Sequence, residues 1–377
     1  MTIAVNTRFL LKDRLEGIGW FTYETVRRLV NRHPEHQFLF FFDRPYDEQF
    51  VFAKNVRPIV LLPPARHPFL FYIWFEFAVH NALKKYKADL FISPDGFLSL
   101  KTKVPTLLVI HDLAHVHFTN QVKFWEQKYY NYFMPKFARR AHRIATVSEY
   151  SKQDIHQQYQ IPLEKIDVVF NGVRPVFKPL GETEKTSIKA KYSDGQDYLF
   201  YIGAIHPRKN IHQLILAFDQ YKKATHLPIK LLIAGRFAWH TGIIKESYEG
   251  AVYNKDIRFL DYIPNEEVPR LMAAALAFVY ISRFEGFGIP LLEAMHCEVP
   301  IITSNVTSMP EVAGTGAILV NPEATEEIKN AMIELTENPV LRASLIEKGR
   351  EQRTRFSWDL TTKKFEESIE KIITGKI

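Results

Sequence analysis

Short apolar runs along the chain alternate with longer segments whose apolar positions recur every three or four residues. Candidate strands are Thr2–Asn6, Gln37–Phe42, Leu90–Ser93, Thr106–Ile110, Arg143–Val147 and Lys165–Val169. Amphipathic stretches such as Thr22–Val30 and Lys123–Ala138 lie between several of them, with helical periodicity. The pattern starts again with Tyr198–Ile202, Ile229–Ala234, Ile257–Phe259, Ala277–Val279, Pro300–Thr303 and Ala317–Val320. Apolar strands alternating with helices predict an α/β protein whose parallel sheets are covered on both faces. Between the two series, Arg174-Pro175-Val176-Phe177-Lys178-Pro179-Leu180-Gly181 suits a linker better than either element. The expected domains are therefore 1–175 and 182–356. A charged amphipathic helix, within 357–377, closes the chain and is expected to pack back on the first domain.

Composition narrows the class. The chain has 377 residues, 46% apolar and 24% charged, which excludes disordered and fibrous proteins. A single cysteine, Cys297, excludes a disulfide framework and a cysteine-rich zinc site; a packed thiol in a reducing cytoplasm fits best. The first residues show no basic segment followed by an apolar stretch, so no signal peptide is expected. The most apolar window, Pro68–Leu83, is interrupted by Glu76 and His80 and is too short to span a bilayer. Within it, Phe69–Phe77 holds six aromatic residues. A buried helix explains it as well as one facing a membrane or an acceptor, and Lys84, Lys85 and Lys87 follow it.

The net charge of +7 is unevenly placed. Residues 1–180 carry 25 Lys and Arg against 16 Asp and Glu, and the remainder 24 against 26. A basic first half fits nucleic acid, anionic lipid or an anionic small molecule. No aromatic RNA motif or helix-turn-helix signature accompanies it, so no nucleic-acid partner is expected.

In parallel sheets ligands bind where the strands end, and four motifs fall there. Gly17-Ile18-Gly19-Trp20-Phe21-Thr22 is a glycine loop opening a helix after the first strand, but it fails the dinucleotide fingerprint at Thr22. His111-Asp112 follows a buried strand, where a His can serve a site or simply be hydrogen bonded. With His115 and His117 it also resembles a metal cluster, but without helical ligand spacing no metal is expected. Gly203 begins a turn that ends in Arg208-Lys209-Asn210, two adjacent cations before a helix, suited to phosphate or merely solvated. Glu285-Gly286-Phe287-Gly288-Ile289 leads to Glu293, eight positions after Glu285. There the amides of Phe287, Gly288 and Ile289 can meet an anion, and a carboxylate can hold two vicinal hydroxyls.

Taken in order, these residues resemble the retaining nucleotide-sugar glycosyltransferases of family 4. The resemblance is strongest where the two glutamates are followed by Ala294-Met295, Val299-Pro300-Ile301-Ile302 and Pro310-Glu311-Val312. It extends through Thr146–Ser151, Asn171-Gly172-Val173, Gly203–Asn210 and His111-Asp112 to Gly17–Thr22, with a Pro-Arg-Lys-Asn turn like that of mannosyltransferase-like members. It implies the GT-B fold: two Rossmann-like domains with parallel sheets facing a central cleft, acceptor on the first and donor on the second. Carried over by position, Glu293 holds the donor ribose, Glu285 contacts the transferred sugar, and Arg208 and Lys209 neutralise the diphosphate. Gly203 and the amides of Phe287, Gly288 and Ile289 line the donor, Gly17 and Gly19 approach the diphosphate, and His111 lies beside the reacting sugar. Where the family often has an arginine after the turn glycine, this chain has Ala204.

The resemblance further implies a metal-independent, front-face transfer of a hexose from a GDP- or UDP-linked donor, without a cofactor, to a glycan or lipid-linked acceptor hydroxyl. Competing functions are a catalytically silent GT-B scaffold binding nucleotide or glycan, a nucleotide-sugar epimerase and a sugar phosphorylase. The presence of His111, Glu285 and Glu293 together argues against a silent scaffold, and the Arg-Lys turn with the paired glutamates against the others. With the donor met by a few placed cations, the basic first half points to an anionic membrane surface or lipid-diphosphate acceptor, on the inner face of the membrane.

Overall fold

The computed structural model describes residues 1–12, 14–119, 123–235, 242–260 and 263–375. They form two compact units, Met1–Gly172 with the segment from Ser357 onward, and Val173–Phe356.

The first unit is a seven-stranded sheet in the order β3-β2-β1-β4-β5-β6-β7. Its strands are β1 (Thr2–Asn6), β2 (Gln37–Phe42), β3 (Val56–Val60), β4 (Leu90–Ser93), β5 (Thr106–Val109), β6 (Arg143–Thr146) and β7 (Ile166–Val168). All neighbours pair in parallel, for example Ile3 with Phe38 on one side and with Leu90 on the other. The central strands β4, β5 and β6 are buried throughout, as continuous apolar runs require of a sheet covered on both faces. β3 is the strand that the apolar pattern does not reveal: its sequence, Val-Arg-Pro-Ile-Val, contains Pro58. Proline lacks the ladder donor, and β3 tolerates it because it lies at the sheet edge.

The second unit repeats the plan with six strands in the order β10-β9-β8-β11-β12-β13. They are β8 (Tyr198–Ile202), β9 (Lys230–Ala234), β10 (Ile257–Leu260), β11 (Ala277–Tyr280), β12 (Ile301–Ser304) and β13 (Ala317–Val320). In each sheet the winding direction reverses once, between β1 and β4 and between β8 and β11. Loops after those strands diverge and leave a crevice.

The chain ends in a helix, Trp358–Thr374, that belongs to the first unit. Arg32 Nη2 lies 2.8 Å from Asp359 and Arg32 Nη1 3.2 Å from Glu366. Phe365 is buried edge-on against Phe21, their ring centres 6.1 Å apart. Pro68–Lys85 is one helical run whose middle, Trp74–Val79, widens into π-type turns. Trp74 and Phe75 are fully buried there, whereas Phe69 and Phe77 are exposed. The aromatic cluster is thus mainly core. Glu76, which breaks the apolar window, is buried and accepts hydrogen bonds from the amides of Leu100 (2.7 Å) and Lys101 (3.2 Å).

Candidate active site

In the second unit, the loops after β8 and β11 bring together three of the residues singled out by sequence. β8 ends at Ile202, Gly203 comes next, and the turn Pro207–Lys209 follows, capped by Asn210 in the left-handed conformation. Gly235, after β9, packs against this turn so closely that a Cβ would stand 1.8 Å from the Gly203 carbonyl oxygen. The backbone bond from Arg283 N–H to Arg208 O (2.9 Å) ties the two loops together. Glu285 is then reached by both cations: Lys209 Nζ donates to Oε1 at 2.5 Å, and Arg208 Nη1 to Oε2 at 3.1 Å. Tyr280 donates to the same Oε1 (3.0 Å) and accepts from Lys209 (2.7 Å). Arg208 also donates to the Phe284 carbonyl at 2.6 Å.

Burial by itself would raise the Glu285 pKa, but the charges of Lys209 and Arg208 overcome it and hold the carboxyl down at about 2. Glu285 is therefore ionised at every working pH. Two cations share this one carboxylate, so the three side chains together carry one positive charge. Ser308 secures the loop by donating to the carbonyls of Glu285 (2.9 Å) and Phe287 (3.1 Å).

The loop then enters the helix Ile289–His296 through Gly288, whose φ of +98° favours glycine. A Cβ there would also meet the Met309 methyl at 2.5 Å. Pro290 occupies the first turn and offers no N–H, so Gly288 and Ile289 supply the amides at this helix start. The Phe287 ring is buried and packs edge-on against Phe356, 5.6 Å between centres. Glu293, on the same helix, has the opposite environment from Glu285. Arg174 stands 3.9 Å away, and the Glu293 carboxylate accepts no hydrogen bond among the described residues. Burial raises its pKa to about 7 against the weaker pull of Arg174. One carboxylate is fixed as an anion, and the other is poised between its two states near neutrality.

The remaining predicted residues lie in the first unit. Gly17 and Gly19 are not in a loop but form the first turn of the helix Gly17–Arg32, because the helix begins as soon as the chain leaves Glu16. Gly17 has open space beside its Cα, whereas a Cβ on Gly19 would stand 3.0 Å from the Phe9 carbonyl. The first N–H groups of this 16-residue helix have no intrahelical acceptor. His111 follows β5, and its ring meets Phe21 of the same helix edge-on at 5.0 Å. His111 Nε2 lies 2.8 Å from the Pro94 carbonyl, so Nε2 carries the proton and Nδ1 is the acceptor nitrogen. Burial lowers its pKa, only partly offset by the Pro94 bond and by Asp112 and Asp95, which keeps the ring neutral. His115 and His117 turn to other partners, the Tyr159 hydroxyl and Asp154, both at 2.9 Å, so the three histidines do not converge on one point. Among the described residues one trio, His33, Glu35 and His36, brings ligand atoms within 4.8 Å of one another, at the far end of the Gly17–Arg32 helix.

Sequence reasoning missed Tyr280, Arg174 and a second ion pair. Arg8, after β1, pairs through Nε with Asp95, after β4, and both are buried. Four rings surround the guanidinium, from Phe97 at 4.4 Å to Phe75 at 5.4 Å. A cavity of about 310 Å³ adjoins it, lined by Arg44, Arg66, Phe71 and Tyr130 among others. The available signal was positional, since both residues stand just past the ends of apolar strands.

Comparison with known proteins shows what the chain as a whole is similar to. Residues 15–177 match the profile of Glycosyltransferase Family 4, and residues 182–352 that of Glycosyl transferases group 1. The chain is 28% identical over 370 residues to O-antigen chain mannosyltransferase B of Escherichia coli, covering 93% of this chain and 95% of the relative. Among solved structures, sucrose-phosphate synthase from Thermosynechococcus elongatus superposes with a TM-score of 0.79 at 17% identity, covering 100% of both chains. Anabaena HepE in complex with UDP-glucose gives 0.77 at 16% identity, covering 98% of this chain and 99% of that one.

Proposed function

The chain belongs to the family 4, group 1 glycosyltransferases, enzymes of the GT-B fold, and from that membership we propose that it moves a hexose, mannose first among the choices, from a nucleotide diphosphate to a glycan or lipid-linked hydroxyl with retention of configuration. The observation that carries this reading is the Glu285 centre, where two cations and a permanently ionised carboxylate meet at a switch-point crevice. The mannosyltransferase relative and the UDP-glucose complex of HepE support the donor class.

In the proposed reaction the bond from the anomeric carbon to the diphosphate oxygen breaks, and the acceptor oxygen bonds to the same face. The acceptor proton passes to a diphosphate oxygen. Negative charge grows on the leaving diphosphate, and Arg208, Lys209 and the amides of Gly288 and Ile289 stabilise it. No bound metal is then required, and Arg208 supplies the charge that the family often places at the position of Ala204. Glu285 cannot also be a free nucleophile, because its oxygens are held by Lys209, Arg208 and Tyr280. It orients the two cations and the hydroxyls of the sugar. Glu293 holds the ribose; in the first unit, neutral His111 keeps Nδ1 as an acceptor. The site works in the cytoplasm, where a lone buried thiol stays reduced.

A panel of UDP-, GDP- and dTDP-linked hexoses tests the proposal. One donor is slowly hydrolysed by the isolated enzyme with EDTA present, and Glu285→Ala removes that turnover. Nucleotide binding survives in the variant because Arg208 and Lys209 keep their charge. Wild-type rates in Glu285→Ala would overturn the assignment. Binding without turnover on every donor and acceptor would point to a silent scaffold instead.

A further inference from the structure

The first unit holds a cluster of ligating side chains that the proposed transfer reaction does not use. The helix Gly17–Arg32 ends at His33, and His33-Pro34-Glu35-His36 turns the chain into β2. The turn closes through the His36 N–H, which donates to the His33 carbonyl at 3.1 Å. Asn55 braces it from the side, its Nδ2 protons shared among the carbonyls of Val30 (3.2 Å), His33 (3.1 Å) and His36 (3.1 Å). The backbone that carries both imidazoles is therefore fixed before any ligand arrives.

Three donor atoms meet on this turn. Glu35 Oε1 is 3.1 Å from His33 Nδ1 and 3.5 Å from His36 Nδ1, and the trio offers ligand atoms that all lie within 4.8 Å of one another. Ligands about 2.1 Å from a tetrahedral zinc ion stand about 3.4 Å apart, so these two distances match the edges of such a site. The two rings stack with their centres 5.3 Å apart. Two imidazolium charges would repel there, whereas one shared cation lets both rings stay neutral. His33 also has a carboxylate at its other nitrogen, with Nε2 3.3 Å from Glu366 Oε1. A neutral imidazole has one N–H and cannot donate to Glu35 and Glu366 at once. A metal on Nδ1 leaves the proton on Nε2 for Glu366, the arrangement that orients ligating histidines.

Glu366 belongs to the closing helix Trp358–Thr374, and its second oxygen accepts from Arg32 Nη1 at 3.2 Å. Arg32 also reaches Asp359 at 2.8 Å, so two carboxylates balance the nearby guanidinium. The Met1 nitrogen faces His36 Nδ1 at 3.5 Å, too far for a firm hydrogen bond to hold that ring nitrogen. We propose that His33, Glu35 and His36 bind one Zn²⁺ ion, which clamps the closing helix to the first unit through His33 and Glu366. Two imidazoles and a carboxylate, without a thiolate, suit zinc, and water fills the fourth position. Glu35 is exposed and both histidines are half-buried, so the ion enters from solvent. Gly17 and Gly19 lie at the opposite end of the helix, about 24 Å along its axis, and the ion takes no part in the transfer.

The test uses the full chain, stripped with EDTA, exchanged into chelator-free buffer and titrated with zinc chloride by calorimetry. Wild type binds one Zn²⁺ per chain. Glu35→Gln and His36→Ala each weaken that binding about tenfold or more, and Glu366→Gln, which acts through His33, about tenfold. Zinc raises the unfolding temperature of wild type by a few degrees, and the rise shrinks in all three variants. In EDTA the variants keep the wild-type circular dichroism and donor hydrolysis, so a loss of zinc binding is not a loss of fold. The readout is metal uptake, which a failure of the transfer reading would leave untouched. Absence of one-to-one binding in wild type would overturn the proposal, as would unchanged binding in both Glu35→Gln and His36→Ala. Unchanged zinc affinity and stabilisation in Glu366→Gln would overturn the clamp.

Discussion

The two sheets place an ion pair at the same topological position and build it for different purposes. After β1 and β4, Arg8 meets Asp95 one to one, with side-chain exposures of 5% and 1%, inside a shell of aromatic rings. After β8 and β11, Glu285 faces two cations, with side-chain exposures of 20% and 11% for Arg208 and Lys209. The first pair cancels its own charge and is sealed. It braces the loops beside the 310 Å³ cavity and has little to offer an anion. The second keeps a net positive charge and an open side, as a diphosphate demands. The difference lies in stoichiometry and exposure, not in the kind of residue used.

The largest effect should come from breaking the sealed pair. Arg8→Met leaves the Asp95 carboxylate buried without its cation, which costs about 3–5 kcal/mol of stability. Asp95 still accepts from Ser93 Oγ (3.3 Å) and the Phe97 amide (3.2 Å), so part of its charge remains solvated by the protein. Adding Asp95→Asn to Arg8→Met removes the stranded charge and should restore part of the loss. Urea unfolding of the single and double variants measures both. Glu285→Gln should cost less in the same assay, because the cations it strands reach solvent. Equal losses would erase the distinction between sealed and open pairs.

An intermediate effect is expected on donor binding. A charge-assisted hydrogen bond contributes roughly 1.5–3 kcal/mol, so Lys209→Met should raise the donor KM about 10- to 100-fold. The acceptor KM should scarcely move. Arg208→Met should behave likewise, with some added loss of order because Arg208 also ties down the Phe284 carbonyl. An effect on the acceptor alone would mean that these cations serve the wrong substrate.

How much of this is legible without coordinates follows from how local each feature is. Strands such as Thr2–Asn6 and Tyr198–Ile202 are visible because a buried parallel strand is a continuous apolar run. β3 escapes because an edge strand tolerates Pro58 and polar positions. Glu285, Arg208 and Lys209 stand out as residue types at strand ends, but their mutual contact depends on two loops separated by more than seventy residues. Tyr280 is hidden in an apolar strand whose end happens to bring its hydroxyl to Glu285. Arg8 and Asp95 have no motif at all. Only the order β2-β1-β4 makes them neighbours.

The smallest predicted effect separates Glu293 from Glu285 by their protons. Burial holds the Glu293 pKa at about 7, opposed by Arg174. Its raised value means that the folded state binds the extra proton, so stability falls as pH rises from the unfolded carboxyl range toward 7. Glu293→Gln removes that fall and should be more stable than wild type at pH 8 but not at pH 5. Ribose hydroxyls donate to the ionised form, so nucleotide affinity should instead rise by about three- to tenfold between pH 5 and pH 8. Binding at pH 7 then releases about a quarter to two-fifths of a proton, visible in calorimetry as a dependence on the buffer's ionisation enthalpy. In Glu293→Gln both the slope and the released proton disappear. Glu285, ionised from about pH 2 upward, should leave no such trace, and a proton that survived in Glu293→Gln would have to come from another group.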